Sequence, residues 1–95
     1  MELTIQHDLN NKRFYVEIDG HLALMDYSVS ADNKTLDYKH TFVPEELRGQ
    51  QIAEKIVLYA LNYAKNNHYQ VIPSCPYVKL MIERHPEYKE IAVGM

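Results

Sequence analysis

The sequence predicts a mixed α/β (α+β) fold: an antiparallel meander followed by a β-α-β crossover and a second short helix. Two observations carry this. Apolar residues alternate with a period of two from Leu3 to Val43, broken by turn signals at Asn10-Asn11, Asp19-Gly20 and Asp32-Asn33. After Pro44 the period lengthens to three and four residues, and a short apolar run returns at Val71-Ile72.

Each element follows from its pattern. Leu3, Ile5 and His7 alternate with Thr4, Gln6 and Asp8, as in a half-buried strand. Phe14, Val16 and Ile18 mark a second strand, and Asp19-Gly20 is the strongest hairpin signal. Leu22 to Val29 reads as a third strand, with Leu22, Leu24, Asp26 and Ser28 on one face. Thr35 to Val43 reads as a fourth, with Leu36, Tyr38, His40 and Phe42 pointing one way.

Leu47, Ile52, Ile56, Tyr59, Ala60 and Tyr63 then form a stripe, with Gln51, Lys55, Asn62 and Asn66 opposite. That pattern predicts an amphipathic helix of about 20 residues, roughly 30 Å long. Asn66-Asn67 suits a left-handed helix end. Tyr69 to Ser74 is expected as a fifth strand, parallel to the fourth because a crossover helix joins them. Pro76 fits the first position of a helix reaching Arg84, which His85-Pro86 stops. Tyr88 to Val93 is expected as a short last strand.

Composition narrows the function. The 95 residues predict one domain, 1–95, with one modest core. Ten Lys and Arg against thirteen Asp and Glu give a net charge of −3, which argues against a nucleic-acid partner. The histidines His7, His21, His40, His68 and His85 are scattered, and no HxH or CxxC spacing occurs, so no metal site is expected. Cys75 stands alone and points to a reducing compartment. The start shows no signal-peptide pattern, and the longest apolar run, Ile56 to Leu61, is too short to span a bilayer. A cytoplasmic protein with no membrane partner is the expectation.

The segment from Phe42 to Lys55 carries the chemistry. Arg48-Gly49 directly precedes the long helix, so several backbone N–H groups converge beside its positive end. Such a turn suits phosphate, although the plain alternative is a helix start with no ligand. Cys75, just ahead of Pro76, sits where a helix dipole favours a thiolate. His40 lies on the strand beside it. Both also have ordinary readings, as a small core residue and as a hydrogen-bonded core histidine.

Strand, Arg-Gly turn, long helix, strand and second helix together resemble the acyl-CoA-binding half of the GNAT N-acetyltransferases. That signature is Gln or Arg, two free positions, Gly, one free position, then Gly or Ala. The corresponding residues are Arg48, Gly49, Gln50, Gln51, Ile52 and Ala53. Arg48 and Ala53 match, while Gln51 replaces the central glycine. A helical backbone at Gln51 would cost no strain, whereas a turn that needs positive φ there would bind more weakly.

The chain is more closely similar to small single-domain GNAT-like proteins, through His40-Thr41, Val43-Pro44, Gly49 and Pro73-Ser74-Cys75. The resemblance implies an acetyl-CoA (coenzyme A) partner held by Val43, Arg48, Gly49, Gln50, Gln51, Ile52 and Ala53. It also implies His40 and Cys75 as catalytic residues, and an unidentified amine or protein acceptor. Tyr77 and Lys79 are secondary candidates for the cofactor's adenine or phosphate. The implied function is N-acetyl transfer; the alternative is a non-catalytic CoA-binding or protein-interaction module.

Overall fold

The computed structural model describes residues 4–94. Five strands form one sheet in the order β1-β2-β3-β4-β5: β1 (Gln6–Asp8), β2 (Arg13–Ile18), β3 (His21–Val29), β4 (Thr35–Phe42) and β5 (Gln70–Ile72). The first three pairings are antiparallel and β4–β5 is parallel, as the meander and crossover require. Asp19 and Gly20 take φ of 51° and 79°, the two positive values a type I′ hairpin needs. The first strand is shorter than its pattern suggests, and Leu3 lies outside the described residues.

One face of the sheet is buried. Phe14 and Val16 of β2, Ala23 and Met25 of β3, Leu36 and Tyr38 of β4 and Val71 of β5 share one core with the helices. The alternation in β4 does not run through to its end. Tyr27 pairs with Tyr38 but Asp26 pairs with His40, so Lys39 is an extra residue in a bulge. The bulge reverses the phase of the strand. Leu36 and Tyr38 face the core, whereas His40 and Phe42 face away, and Thr41 lies opposite the buried Met25. The single face expected for Leu36, Tyr38, His40 and Phe42 is therefore corrected.

Helix α1 (Ile52–Asn66) is 15 residues, shorter than its stripe. Leu47 belongs to a separate 3-10 turn, Glu45–Leu47, because the positive φ of Gly49 and Gln51 breaks helical continuity between them. At the far end His68, not Asn66 or Asn67, takes the left-handed conformation at φ 63°. Tyr69 N–H donates to Ala64 O at 2.9 Å and His68 N–H to Lys65 O at 3.4 Å, a Schellman closure. Buried Tyr38 donates its hydroxyl to Ala60 O at 2.6 Å, tying β4 to the middle of α1.

Helix α2 (Pro76–Arg84) begins at Pro76 and buries Val78, Met81 and Ile82 in the same core. The last strand expected at Tyr88 to Val93 is instead a 3-10 helix, Pro86–Ile91, followed by a lone bridge from Ala92 to Val71. Pro86 sets helical φ at its start, and Tyr88 is drawn inward, donating its hydroxyl to Asn62 Oδ1 at 2.7 Å.

On the outer flank of α1, His7 stacks on Phe14 at 4.1 Å, meets the edge of Tyr63 at 4.5 Å and lies 2.6 Å from the Tyr27 hydroxyl. Burial holds the imidazole below its ordinary pKa, against the weaker opposing pull of Asp8. Burial, with Tyr63, Tyr69 and Asp8 nearby, raises the Tyr27 hydroxyl to about 12. A histidine kept neutral in the fold binds its proton more readily once unfolded, so stability rises with pH across this range. The urea midpoint should therefore fall as pH drops from 7.5 through about 6.5 and below. His7→Phe should flatten that dependence.

Candidate functional site

Three features meet at one end of the sheet. The first is a parting of strands. Parallel pairing runs only from Thr35–Gln70 to Asp37–Ile72, with one further bond from Cys75 N–H to Tyr38 O at 3.0 Å. Pro73 has no N–H to continue the ladder, and Pro76 starts α2, so the chain turns away. Ser74 donates its hydroxyl to Asp37 Oδ1 at 2.5 Å and pins that departure. From Lys39 onward, β4 has a free edge on this side, because its pairing with β5 stops at Asp37.

The second feature is the turn before α1. A cleft of about 160 Å³ lies there, lined by Val43, Leu47, Arg48, Gly49, Gln51, Ile52, Ala53, Glu54 and Tyr77. Six of the seven residues expected to hold the cofactor line it; Gln50 is exposed and does not. Among the described residues no side chain caps α1, and the amides of Ile52, Ala53 and Glu54 find no backbone acceptor. Converging free N–H groups at a helix start favour an anion. Arg48 donates Nε–H to Val43 O at 3.1 Å, which fixes the guanidinium at the rim.

Glu45 and Glu46 stay out of the cleft, and Glu46 lies 3.9 Å from His21. Glu54 is the opposing charge inside it. Burial, with help from Glu54, raises the Tyr77 hydroxyl above its ordinary pKa, and Arg84 opposes this. Lys79 is exposed and absent from the lining.

The third feature is a pair of polar clusters on opposite faces. On the core side, Cys75 is 6% exposed and its Sγ lies 3.6 Å from Thr41 Oγ1. On the outer side, one Asp26 carboxylate oxygen accepts from His40 N–H at 3.1 Å and lies 3.3 Å from its Nδ1. The His40 side chain is 78% exposed. The bulge thus separates His40 and Cys75 to the two sides of the sheet. Asp26 and Thr41 are the partners that sequence reading missed. Thr41 adjoins His40 in the His-Thr pair, but only strand register joins Asp26 to His40. Among the described residues no cluster of three metal-binding side chains occurs, and no helix is long and apolar enough to cross a membrane.

A meander joined by a crossover helix to a parallel strand that then splays from its neighbour defines an N-acetyltransferase-like fold. The chain belongs to the GCN5-related N-acetyl-transferase family, whose profile matches residues 13–91. It is similar to Protein NATD1 of Danio rerio, 28% identical over 94 residues, covering 93% of this chain and 83% of that protein. Protein NATD1 of Homo sapiens is 24% identical over 86 residues, covering 88% and 75%. The solution structure of a GCN5-like putative N-acetyltransferase from Staphylococcus aureus superposes with a TM-score of 0.70 at 29% identity, covering 99% of this chain and 89% of that one.

The central glycine of the family turn has a physical reason here. Gln51 stands in its place with φ 60° and ψ 27°, a left-handed conformation that an L side chain adopts at a cost. Gln51→Gly should raise unfolding stability by about 0.5–1 kcal/mol, net of glycine's larger chain entropy, as read from urea denaturation.

Proposed function

We propose that this protein binds acetyl-CoA and transfers its acetyl group to a primary amine, as a single catalytic domain in the cytoplasm. The observation that carries this is the set of uncapped first-turn amides of α1, beside the free edge of β4. When bound, the cofactor supplies a thioester carbonyl activated towards amines. The amides of Gly49 to Glu54 would hold its diphosphate, and Arg48 would add a charge-assisted contact. Beyond the bulge, where Asp26 takes His40 N–H, the remaining edge groups of β4 would be available to the amide-bearing arm of the carrier. Glu54 works against anion binding, so the residues present favour moderate affinity.

His40 takes the proton of the incoming amine through Nε2, while Nδ1–H is held by Asp26. With acetyl-CoA bound, the amine so deprotonated would form the amide bond, and CoA would leave as its thiolate. His40 faces the open side of the sheet, from which an acceptor approaches without crossing the core. Cys75 offers a second route: its thiol would take the acetyl group, its proton leaving with the CoA thiolate, and an amine would then receive the acetyl group and restore the thiol. The left-handed Gln51 and the acidic Glu54 also favour a second reading, a CoA-binding module without turnover. Binding with no turnover across a broad panel of amines would select it.

Isothermal titration with acetyl-CoA should show saturable binding. Gly49→Asp should abolish it; a Cβ at that position would meet nothing within 4 Å, but the φ of 84° should cost about 1 kcal/mol of stability, which a urea titration reads separately from binding. His40→Gln should lower turnover about 10²–10⁴-fold with an unchanged acetyl-CoA affinity. Mass spectrometry after mixing with acetyl-CoA should find acetylated Cys75 only if the covalent route operates. Full turnover in Cys75→Ala would remove it.

A further inference from the structure

The bulge at Lys39 leaves the inner thiol without a base. A cysteine nucleophile is commonly activated by a neighbouring imidazole. Here His40 faces the outward side, with Nδ1 on Asp26, and does not serve Cys75. Among the described residues, no charged or titratable side chain of the surrounding elements hydrogen-bonds to Sγ. Asp26 of β3, Lys39 and His40 of β4, Glu54 of α1, and Tyr77 and Lys79 of α2 all leave it free.

The side chain that does meet the sulfur is Thr41. Its Oγ1 lies 3.6 Å from Sγ, a hydrogen-bond distance for sulfur, and the hydroxyl has no other hydrogen-bond partner among the described residues. Two features of β4 set that meeting. The bulge turns Thr41 inward, opposite buried Met25, and Cys75 N–H donates to Tyr38 O at 3.0 Å. One stretch of strand thus fixes the cysteine's backbone at Tyr38 and its sulfur at Thr41. Cys75 is also the N-cap of α2. Pro76 brings no N–H there, and the amides of Tyr77 and Val78 find no backbone acceptor. Such a helix end favours negative charge beside it.

Resting on the reading that Cys75 takes the acetyl group, we propose that Thr41 is the positioning residue for that thiol: its hydroxyl donates to Sγ and holds the sulfur at the strand parting. The hydroxyl has one proton to donate, and a thiolate accepts it far better than a neutral thiol does. The bond therefore tightens as the thiol gives up its proton. In the transfer, a bond from Sγ to the acetyl carbon would form while the bond from that carbon to the CoA sulfur breaks. The thiol's proton would leave with the CoA thiolate. Thr41 keeps its own proton and acts through Cys75.

The chain has a single cysteine, so alkylation by iodoacetamide, without cofactor, reports on Sγ alone. Thr41→Val keeps the side-chain shape and removes the hydroxyl. Its alkylation at neutral pH should be about tenfold slower than wild type, with the pH profile displaced upward by about one unit. Thr41→Ser should restore both the rate and the profile. Urea midpoints report separately on the fold of each variant. Should Thr41→Val fail to fold, Thr41→Ala compared with Thr41→Ser supplies the same contrast. Acetylation of Cys75 by acetyl-CoA, read by mass spectrometry, should follow the same order.

Alkylation of the hydroxyl-free variant at the wild-type rate across all pH would overturn the proposal. So would a Thr41→Ser variant that stays slow, or a wild-type thiol inert to the reagent. The alkylation needs no acetyl-CoA, so the two claims fail separately. A hydroxyl-dependent profile with no acetylated Cys75 would sustain the hold of Thr41 on the sulfur and sink the covalent route.

Discussion

Tyr38 is the point on which the architecture turns. Its carbonyl accepts the last backbone bond between β4 and the chain leaving β5, from Cys75 N–H at 3.0 Å. Its hydroxyl is anchored on Ala60 O in α1 at 2.6 Å, and its ring is fully buried. One residue thus fixes how far the parallel pair runs and where α1 lies across it. Beyond that residue the strands separate, because Pro73 cannot donate and Pro76 commits the chain to α2. The groups assigned to cofactor binding and acetyl transfer lie around that separation.

The bulge at Lys39 follows immediately and divides the chemistry between two sides. Without the extra residue, His40 would share the core face with Tyr38. With it, Thr41 points inward to Cys75, and His40 turns outward onto Asp26. A base on the solvent side can meet an amine that never crosses the core. The thiol on the inner side is sheltered from water, 6% exposed. The two candidate groups are therefore separate stations rather than a contacting pair.

The turn before α1 gives up some stability and leaves amides exposed. Gly49 and Gln51 both hold positive φ, and that geometry leaves the first-turn amides uncapped and facing the cleft. A capping Ser or Asp would satisfy those amides and leave none free to meet an anion. Gln51 bears backbone strain that glycine would avoid, and Glu54 answers the helix dipole while crowding an incoming phosphate.

Local pattern alone was enough to place the meander, the Asp19-Gly20 hairpin, the crossover into a parallel pair and the start of α2 at Pro76. These depend on short-range periodicity and on the fixed φ of proline or the freedom of glycine. The Arg48 to Ala53 turn was legible for the same reason, since a glycine ahead of an amphipathic stripe is a short-range signal. Other features arise only from long-range packing. The bulge comes from how β3 and β4 register across the turn that joins them, so the side on which His40 falls was invisible to a period-two reading. The 3-10 path of Pro86–Ile91 depends on Tyr88 reaching Asn62, a contact no local pattern encodes. The pairing of Asp26 with His40 exists only once separate strands lie edge to edge.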